Sequence, residues 1–305
     1  MYDIIIIGSG PAGLTAALYA QRAGKTALVL EGSGFGGQIV YTSCVENYPG
    51  QKAMSGAEFA DSLVEQVLSS GAAVEFETAV ELRDGDIKTV ITDSNEYTAK
   101  SVIIAAGVKH RHLGLDGEDT LIGSGISFCA VCDGAFYKGK RVAVVGGGNT
   151  ALEDALYLSD IAEKVYLIHR RDGFRAENKI VKRAQEKENI HFILDAAVTH
   201  VHGSPVLDGI EVTNLKTGAK TPLDINGLFV AIGQLPQNDI FKAVIYLDEN
   251  GYIRSGEGCT TNVPGIFAAG DCRTKSFRQL TTAVSDGTVA ALAACEYIDG
   301  IFDRA

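Results

Sequence analysis

The 305-residue sequence is short of basic residues, long apolar runs and clustered cysteines. Its 27 Lys and Arg residues against 38 Asp and Glu residues give a net charge of −11. This charge disfavours nucleic acid and anionic membrane surfaces as partners, because both require a basic face. No apolar run approaches the ~20 residues of a membrane helix, and the first residues lack the positive segment of a signal peptide. We therefore expect a cytoplasmic protein.

The cysteines are too few and too scattered for a disulfide framework; they lie at positions 44, 129, 132, 259, 272 and 295. Only Cys129 and Cys132 are separated by two residues, a spacing that can close a small disulfide. Asp133 follows them directly and adds a proton donor. The alternative is a zinc site, but zinc needs a second Cys or His pair at short spacing, and none follows. We predict a redox-active disulfide and interpret the other four cysteines as packing or incidental thiols.

The hydrophobic content of 46% is that of a globular protein, and the length allows two domains of ordinary size. Near the amino end, the β-branched run 3–7 leads directly into Gly8-Ser9-Gly10-Pro11-Ala12-Gly13. A helix is predicted next, because Pro11 suits a first helical turn and Gly24 can close the end. Strand, glycine turn and helix in this order form a dinucleotide fingerprint, in which backbone N–H groups and the helix dipole face a pyrophosphate.

The residues after this fingerprint indicate the kind of nucleotide. The second predicted strand, 26–30, ends at Glu31, whose carboxylate would accept hydrogen bonds from both ribose hydroxyls and repel a 2′-phosphate. The first site should therefore hold an adenosine without one. A glycine-rich loop follows, with Gly36-Gly37-Gln38 and Glu46-Asn47-Tyr48-Pro49-Gly50. Such a loop lets the backbone approach a flat ligand closely.

A second copy of the motif follows the cysteine pair. It consists of a strand over 141–145, the turn Gly146-Gly147-Gly148-Asn149-Thr150-Ala151, and a helix through Leu158. Its second strand, 165–168, ends in His169-Arg170-Arg171-Asp172-Gly173-Phe174-Arg175 rather than in an acid. Arginine binds a 2′-phosphate through paired, charge-assisted hydrogen bonds, so the three arginines fit that group. The alternative is a solvated basic turn.

Two further segments contribute candidate residues. A buried strand ends at Gly107, and His110 to His112 after it are interpreted as a solvated polar crossover. Near the carboxyl end, a buried strand leads into Gly270-Asp271, where the aspartate could accept hydrogen bonds from a polyol chain. Arg278-Gln279-Leu280 then precedes a helix over 281–298, whose amino end could stabilise negative charge on a reduced ring.

Together these motifs resemble the low-molecular-weight NADPH-dependent thioredoxin reductases of bacteria, over nearly the whole chain. The resemblance implies FAD on the first motif copy and NADPH on the second. It also implies that Cys132 lies nearer the flavin, that Cys129 attacks the partner disulfide and that Asp133 supplies a proton. The larger pyridine nucleotide-disulfide reductases also resemble this chain, but they carry their redox cysteines about where Cys44 stands. A single thiol there cannot form that pair.

The expected architecture is α/β, with two Rossmann-like three-layer nucleotide-binding domains, the second inserted in the first. We expect the FAD-binding domain at 1–112 and 243–305, and the NADPH-binding domain with the redox cysteines at 113–242. The candidate FAD-binding residues are Gly8, Gly10, Pro11, Ala12, Gly13, Glu31, Gly36, Gly37, Gln38, Asn47, Gly107, Gly270, Asp271, Arg278, Gln279 and Leu280. The candidate NADPH-binding residues are Gly146, Gly148, Asn149, Thr150, His169, Arg170, Arg171 and Arg175.

The resemblance also implies a homodimer and, as partner, thioredoxin or a thioredoxin-like protein. Two alternatives stay open. One is a relative with another electron donor, such as ferredoxin, or with another acceptor, such as a peroxidase system. The other is a non-catalytic nucleotide-binding module whose cysteine pair holds zinc. Flavin colour and metal content of the purified protein would separate these classes.

Overall fold

The computed structural model describes residues 1–42 and 44–301, which form two compact units. The first unit contains residues 1–42, 48–109 and those from 235 onward. The second contains 110–234 and a short stretch ending at Asn47. The chain thus leaves the first unit after Lys109 and returns to it at Leu235, so the second unit is an insertion in the first.

Strands alternate with helices from β1 to β3 and from β7 to β11, and the rest of the described chain is mainly consecutive strands. Before the first crossover lie β1 (Tyr2–Ile7), α1 (Pro11–Arg22), β2 (Ala27–Leu30), α2 (Gly56–Ser69), β3 (Ala73–Glu75), β4 (Ala79–Arg83), β5 (Lys88–Thr92), β6 (Glu96–Ile104) and β7 (Val108–His110). The inserted part contains α3 (Glu118–Leu121), β8 (Ile126–Ser127), α4 (Ala130–Asp133), β9 (Arg141–Val145), α5 (Asn149–Ser159), β10 (Lys164–Ile168), α6 (Asn178–Gln185), β11 (Ile190–Ile193), β12 (Ala196–Gly203), β13 (Leu207–Asn214), β14 (Lys220–Leu223) and β15 (Gly227–Val230). The chain then adds β16 (Gln234–Pro236), β17 (Ile266–Ala268) and α7 (Leu280–Ile301).

The sheet of the first unit has the strand order β3-β2-β1-β6-β5-β4, with β17 paired to β6. The pairs around β1 are parallel, whereas β4, β5 and β6 form an antiparallel meander. Alternate isoleucines of β1 enter opposite cores, Ile4 and Ile6 on one face and Ile5 and Ile7 on the other. Both faces are covered, which explains why this strand is a continuous apolar run.

The sheet of the second unit is fully parallel, in the order β11-β10-β9-β15-β8. Helices α5 and α6 supply buried residues to one face. The three-stranded antiparallel sheet β12-β13-β14 supplies them to the other, through residues such as Val198, Ile210 and Val212. This unit therefore has three layers, and in both units the glycine turns follow the carboxyl end of a central parallel strand.

Within the part of the chain that the structure describes, no helix is long and apolar enough to cross a membrane.

Candidate active site and nucleotide sites

The first glycine turn joins β1 to α1 and brings three segments of the first unit together. Gly13 contacts the strand end so closely that a Cβ there would lie 1.9 Å from the Gly8 carbonyl oxygen, which excludes a larger residue. Gly8 itself has φ +108°, a conformation that strongly favours glycine. Helix α1 begins at Pro11 after Gly10, which has no side chain with which to cap the first N–H groups. These donors are therefore suited to an anion.

Two further candidate glycines, Gly36 and Gly37, contact this turn. The Gly36 N–H donates to the Ser9 carbonyl oxygen at 3.0 Å, and a Cβ on Gly37 would lie 3.0 Å from the Gly10 Cα. Gln38 belongs to the short 3₁₀ helix Gly37–Tyr41 that follows. Gly107 lies two residues beyond Ala105, whose carbonyl oxygen faces Gly8. Asn47 is an exposed loop residue in the short stretch that belongs to the second unit.

Glu31 lies directly after β2, and its side chain is a buried carboxylate that accepts hydrogen bonds. Its carboxylate accepts the N–H and hydroxyl of Ser9 at 2.9 and 2.8 Å and those of Ser33 at 2.8 and 2.9 Å. The Gly34 N–H donates at 3.1 Å. Burial by itself would raise the pKa of Glu31, but these hydrogen bonds outweigh burial and lower it. The carboxylate therefore stays ionised at the tip of the strand, where the sequence predicts a ribose contact.

Asp271 lies on the short turn after β17, beside α1. A Cβ on Gly270 would be 2.8 Å from the Ala12 side chain, which places this turn next to the first glycine turn. Arg278 Nε donates to the Asp271 carbonyl oxygen at 3.3 Å, and its guanidinium lies 4.2 Å above the Tyr252 ring. Gln279 directly precedes α7, which begins at Leu280.

The second glycine turn repeats this geometry between β9 and α5. A Cβ on Gly147 would lie 2.1 Å from the His169 ring, so the two strand ends are in direct contact. Helix α5 begins at Asn149 after Gly148, another N-cap without a side chain. Asn149 and Thr150 are exposed at this end. The Asn149 carboxamide binds the backbone N–H and carboxylate of Glu177, which fixes the first turn of the helix.

The basic segment after β10 combines a buried histidine with three exposed arginines. His169 is 5% exposed, stacks on Phe174 at 5.3 Å, and its Nε2 lies 3.2 Å from the Gly173 carbonyl oxygen. Burial lowers the pKa of His169, and the positive charges of Arg171, Arg175 and Arg170 lower it further. The three arginines thus follow the strand end as exposed side chains that are open to a ligand.

Asp154 is a partly buried carboxylate on α5 that the sequence did not single out. Burial raises the pKa of Asp154 to about 7, and the neighbouring Glu153 adds repulsion. A folded-state pKa above the unfolded value of 3.8 means that the folded protein prefers the neutral acid. Stability is therefore lost as the pH rises from about 4 through about 7.

We expect Asp154→Asn to remove this loss, since asparagine stays neutral. The free energy of unfolding of the variant, relative to that of the parent protein, should rise by roughly 2 kcal/mol between pH 5 and pH 8. Urea unfolding at the two pH values measures the change, and Glu163→Gln, which neutralises an exposed acid of the same unit, is the control. An advantage of Asp154→Asn that does not depend on pH would contradict the raised pKa.

The predicted disulfide is present between Cys129 and Cys132, with their Cα atoms 5.3 Å apart. Both residues are half-buried; Cys129 is the N-cap of the one-turn helix α4, and Cys132 lies within it. The Cys132 N–H donates to Cys129 Sγ at 3.2 Å, a contact that favours a thiolate on Cys129 once the bond is reduced. A closed disulfide leaves neither sulfur free for zinc, and the described residues contain no cluster of three or more metal-ligating side chains.

Asp133 faces Ser127, a residue that sequence reasoning missed. The Ser127 hydroxyl donates to Asp133 Oδ2 at 2.5 Å and accepts the Cys129 N–H at 3.1 Å. Burial raises the pKa of Asp133, and the Ser127 hydrogen bond offsets part of this shift. The other oxygen, Oδ1, is buried and has no hydrogen-bond partner among the described residues. Asp133 is thus a carboxyl group suited to holding and releasing a proton.

Close packing fixes the segment that carries the disulfide. Gly134 follows the acid and lies against α5, where an added Cβ would be 3.0 Å from the Tyr157 ring. Tyr137 packs edge-on against Phe229 of the central sheet. Burial, followed by the charge of Asp133, raises the pKa of Tyr137 to about 12, so this phenol stays neutral.

His110 corrects one interpretation of the sequence. It was expected on a solvated crossover, but its ring stacks on Phe128 at 4.6 Å, and burial lowers its pKa to about 4. His112 is exposed as expected and lies 5.2 Å from the same ring. Phe128 directly precedes Cys129, so the His110 imidazole packs beside the redox segment as a neutral ring.

The two nucleotide sites fit the groups that the sequence predicts. Around the first turn, α1 presents uncapped N–H groups, Glu31 is an ionised acceptor, and Asp271 has a buried oxygen, Oδ1, that accepts no hydrogen bond from the described part of the chain. Around the second turn, the uncapped end of α5 adjoins the arginines. One site therefore suits a nucleotide with free ribose hydroxyls, and the other suits a nucleotide with an additional phosphate.

A family model described as pyridine nucleotide-disulphide oxidoreductase matches residues 2–287. The chain belongs to this family. Relatives of this oxidoreductase include the thioredoxin reductase of Listeria innocua, 43% identical over 98% of this chain and 94% of its own length. The thioredoxin reductase of Mycolicibacterium smegmatis is 42% identical over 96% of this chain and 95% of its own length.

The crystal structure of thioredoxin reductase from Streptococcus pyogenes superposes on this oxidoreductase with a TM-score of 0.96, at 40% identity over 99% of each chain. The predicted α/β architecture with two Rossmann-like domains is therefore confirmed, as is the resemblance to bacterial thioredoxin reductases. Family membership makes the protein a flavin- and pyridine nucleotide-dependent disulfide oxidoreductase.

Proposed function

We propose that the protein is an NADPH-dependent thioredoxin reductase that uses FAD and the Cys129–Cys132 disulfide. The observation that carries the proposal is the closed disulfide beside the half-buried acid Asp133, in the same unit as a glycine turn followed by a strand that ends in three arginines. Relatives named thioredoxin reductase, matched over nearly their full length, support the choice of thioredoxin as partner.

The two cofactors are assigned by charge. We assign FAD to the first unit because ionised Glu31 at the strand end repels a 2′-phosphate, and because Asp271 offers an unused acceptor. We assign NADPH to the second unit because Arg170, Arg171 and Arg175 are exposed at the equivalent strand end. These assignments correspond to domains at 1–112 with 243–305 and at 113–242.

When bound, FAD accepts a hydride from NADPH and supplies the two electrons that open the disulfide. Cys129, whose sulfur accepts the Cys132 N–H, is then the attacking thiolate. It bonds to one sulfur of the partner disulfide, breaks the partner's S–S bond and leaves the other partner sulfur as a thiolate. Cys132 next attacks Cys129 Sγ, re-forms the Cys129–Cys132 bond and releases the partner as a dithiol.

Asp133 supplies a proton in this exchange. Burial raises its pKa, so the carboxyl group can hold a proton that an exposed aspartic acid would lose. Its unpartnered Oδ1 is the atom from which the proton leaves toward a thiolate, while Ser127 holds Oδ2. The resemblance to the reductases further supports a homodimer in the cytoplasm, which we include in the proposal.

The direct test is whether the purified protein reduces the host's own thioredoxin with NADPH. The reaction is monitored by the loss of NADPH absorbance. We expect a yellow protein with one FAD per chain, turnover with NADPH, and much slower turnover with NADH. A colourless protein that contains zinc would overturn the proposal. Turnover with reduced ferredoxin but not with NADPH would show that the proposed electron donor, NADPH, is wrong.

A further inference from the structure

Asp286, on the second turn of α7, is a buried carboxylate that forms an ion cluster with two cations. Arg273 donates to it through Nε at 2.8 Å and Nη2 at 2.6 Å, and Lys275 Nζ donates at 2.9 Å. The Gly270 N–H adds a backbone contact at 3.0 Å. Asp286 is 6% exposed, and the side chains of Arg273 and Lys275 are 9% and 7% exposed.

This cluster is a costly way to stabilise a fold. Burial would raise the pKa of Asp286, but the hydrogen bonds from Arg273 and Lys275 outweigh burial and lower it, so the group stays ionised. Buried ion pairs contribute little net stability, because desolvation cancels most of the attraction, and well-packed apolar residues often serve as well. One anion with two buried cations therefore calls for a function beyond packing.

The segment that the cluster holds is the turn Gly270–Cys272. The N–H of Gly270, the first residue of this turn, donates to the Asp286 carboxylate. Arg273 follows the turn directly and donates to the same Asp286 carboxylate. Arg278 closes the other side by donating to the carbonyl oxygens of Asp271 and Arg273 at 3.3 and 3.4 Å. Between these contacts, Asp271 Oδ1 is buried and has no hydrogen-bond partner in residues 1–42 and 44–301. The turn is thus fixed around one unused acceptor.

We propose that Asp286 is a positioning residue for the flavin, acting through the Gly270–Asp271 turn. Held by Asp286, Arg273 and Lys275, this turn places Asp271 Oδ1 to accept a hydrogen bond from the hydroxyl-bearing chain of FAD. The inference rests on the proposed FAD site in the first unit. It extends that site to three residues that do not themselves touch the ligand.

The test compares Asp286→Ala with Asp84→Ala. Asp84 is the control because, although its own side chain is 47% exposed, it pairs at 2.6 Å with another buried cation of the same unit, Lys88, whose side chain is 5% exposed. FAD release is followed by flavin fluorescence as each holoprotein is diluted, and thermal unfolding is followed separately. Both variants should lose thermal stability. Only Asp286→Ala should release FAD more readily, with a dissociation constant raised at least 10-fold.

A triple variant, Arg273→Met with Lys275→Met and Asp286→Leu, separates positioning from stability and serves if Asp286→Ala fails to fold. Apolar replacement of the whole cluster removes the unpaired charges, so the fold should recover. Weak FAD binding in a stable triple variant supports the proposal. Recovery of FAD affinity along with stability would overturn it, as would equal FAD affinity in Asp286→Ala and the parent.

The same measurements separate this inference from the proposed function. A parent protein that holds FAD but does not reduce thioredoxin would refute the proposed function and leave the FAD affinities of the variants to decide the role of Asp286. A parent protein that binds no FAD would overturn both.

Discussion

Replacing Cys129 or Cys132 by serine is expected to leave the protein yellow and to abolish reduction of thioredoxin. The flavin stays because all the candidate FAD residues except Asn47 lie in the first unit, whereas both cysteines belong to the second. Turnover fails because one thiol cannot store two electrons as a dithiol, and a serine hydroxyl does not attack a disulfide. We expect a loss of at least about 1,000-fold in kcat/KM for thioredoxin, measured with NADPH at saturation.

Cys44→Ser is the matched control, since Cys44 is also half-buried but is a free thiol. It should retain parental activity and flavin content. The two active-site variants should also differ from each other. Cys132→Ser leaves the proposed attacking thiol without its resolving partner, so it should trap thioredoxin as a stable mixed disulfide, and Cys129→Ser should not. Full activity in either active-site variant would remove the disulfide from the mechanism, and the reverse trapping pattern would exchange the roles of the two cysteines.

The elements around both glycine turns could be predicted because their signals are local. The apolar run 3–7 lies in β1 (Tyr2–Ile7). The strand predicted at 141–145 is β9, which has the same bounds, Arg141–Val145. The helix predicted at 281–298 is α7, which is longer at both ends. Proline, glycine and β-branched residues act on their own backbone, so the information lies within a few residues of each element.

The contacts that complete the sites could not be predicted, because they join residues whose proximity only the fold creates. Ser127 is six residues from Asp133, and nothing in its identity distinguishes it from a surface serine. His110 looked solvated because its neighbours in sequence are polar, but its surroundings are set by Phe128. Asp286 belongs to a helix of small residues, and its partner Arg273 comes from a turn 13 residues earlier.

Replacing Arg170, Arg171 and Arg175 by alanine is expected to remove most of the preference for NADPH over NADH. All three side chains are exposed, so each is free to contact a phosphate, and each charge-assisted contact is worth roughly 1.5 to 3 kcal/mol. Loss of one contact should lower NADPH affinity about 10- to 100-fold, and the triple variant should lose more. NADH lacks the phosphate, so its kcat/KM should change little. The ratio of kcat/KM for the two nucleotides is the measurement.

Arg183→Ala is the control for charge, because it removes an exposed arginine of the same unit from the last turn of α6. It should leave the ratio unchanged. Salt provides a second check: contacts between exposed charges are screened, so the NADPH preference of the parent protein should fall as ionic strength rises, while that of the triple variant should barely respond. An unchanged NADPH/NADH ratio in the triple variant would place the phosphate site elsewhere and leave the arginines as a solvated turn.

Because His169 is buried against Gly147 and Phe174 rather than open to solvent, its removal would disturb the turn itself, and the arginines are the sharper test of nucleotide choice.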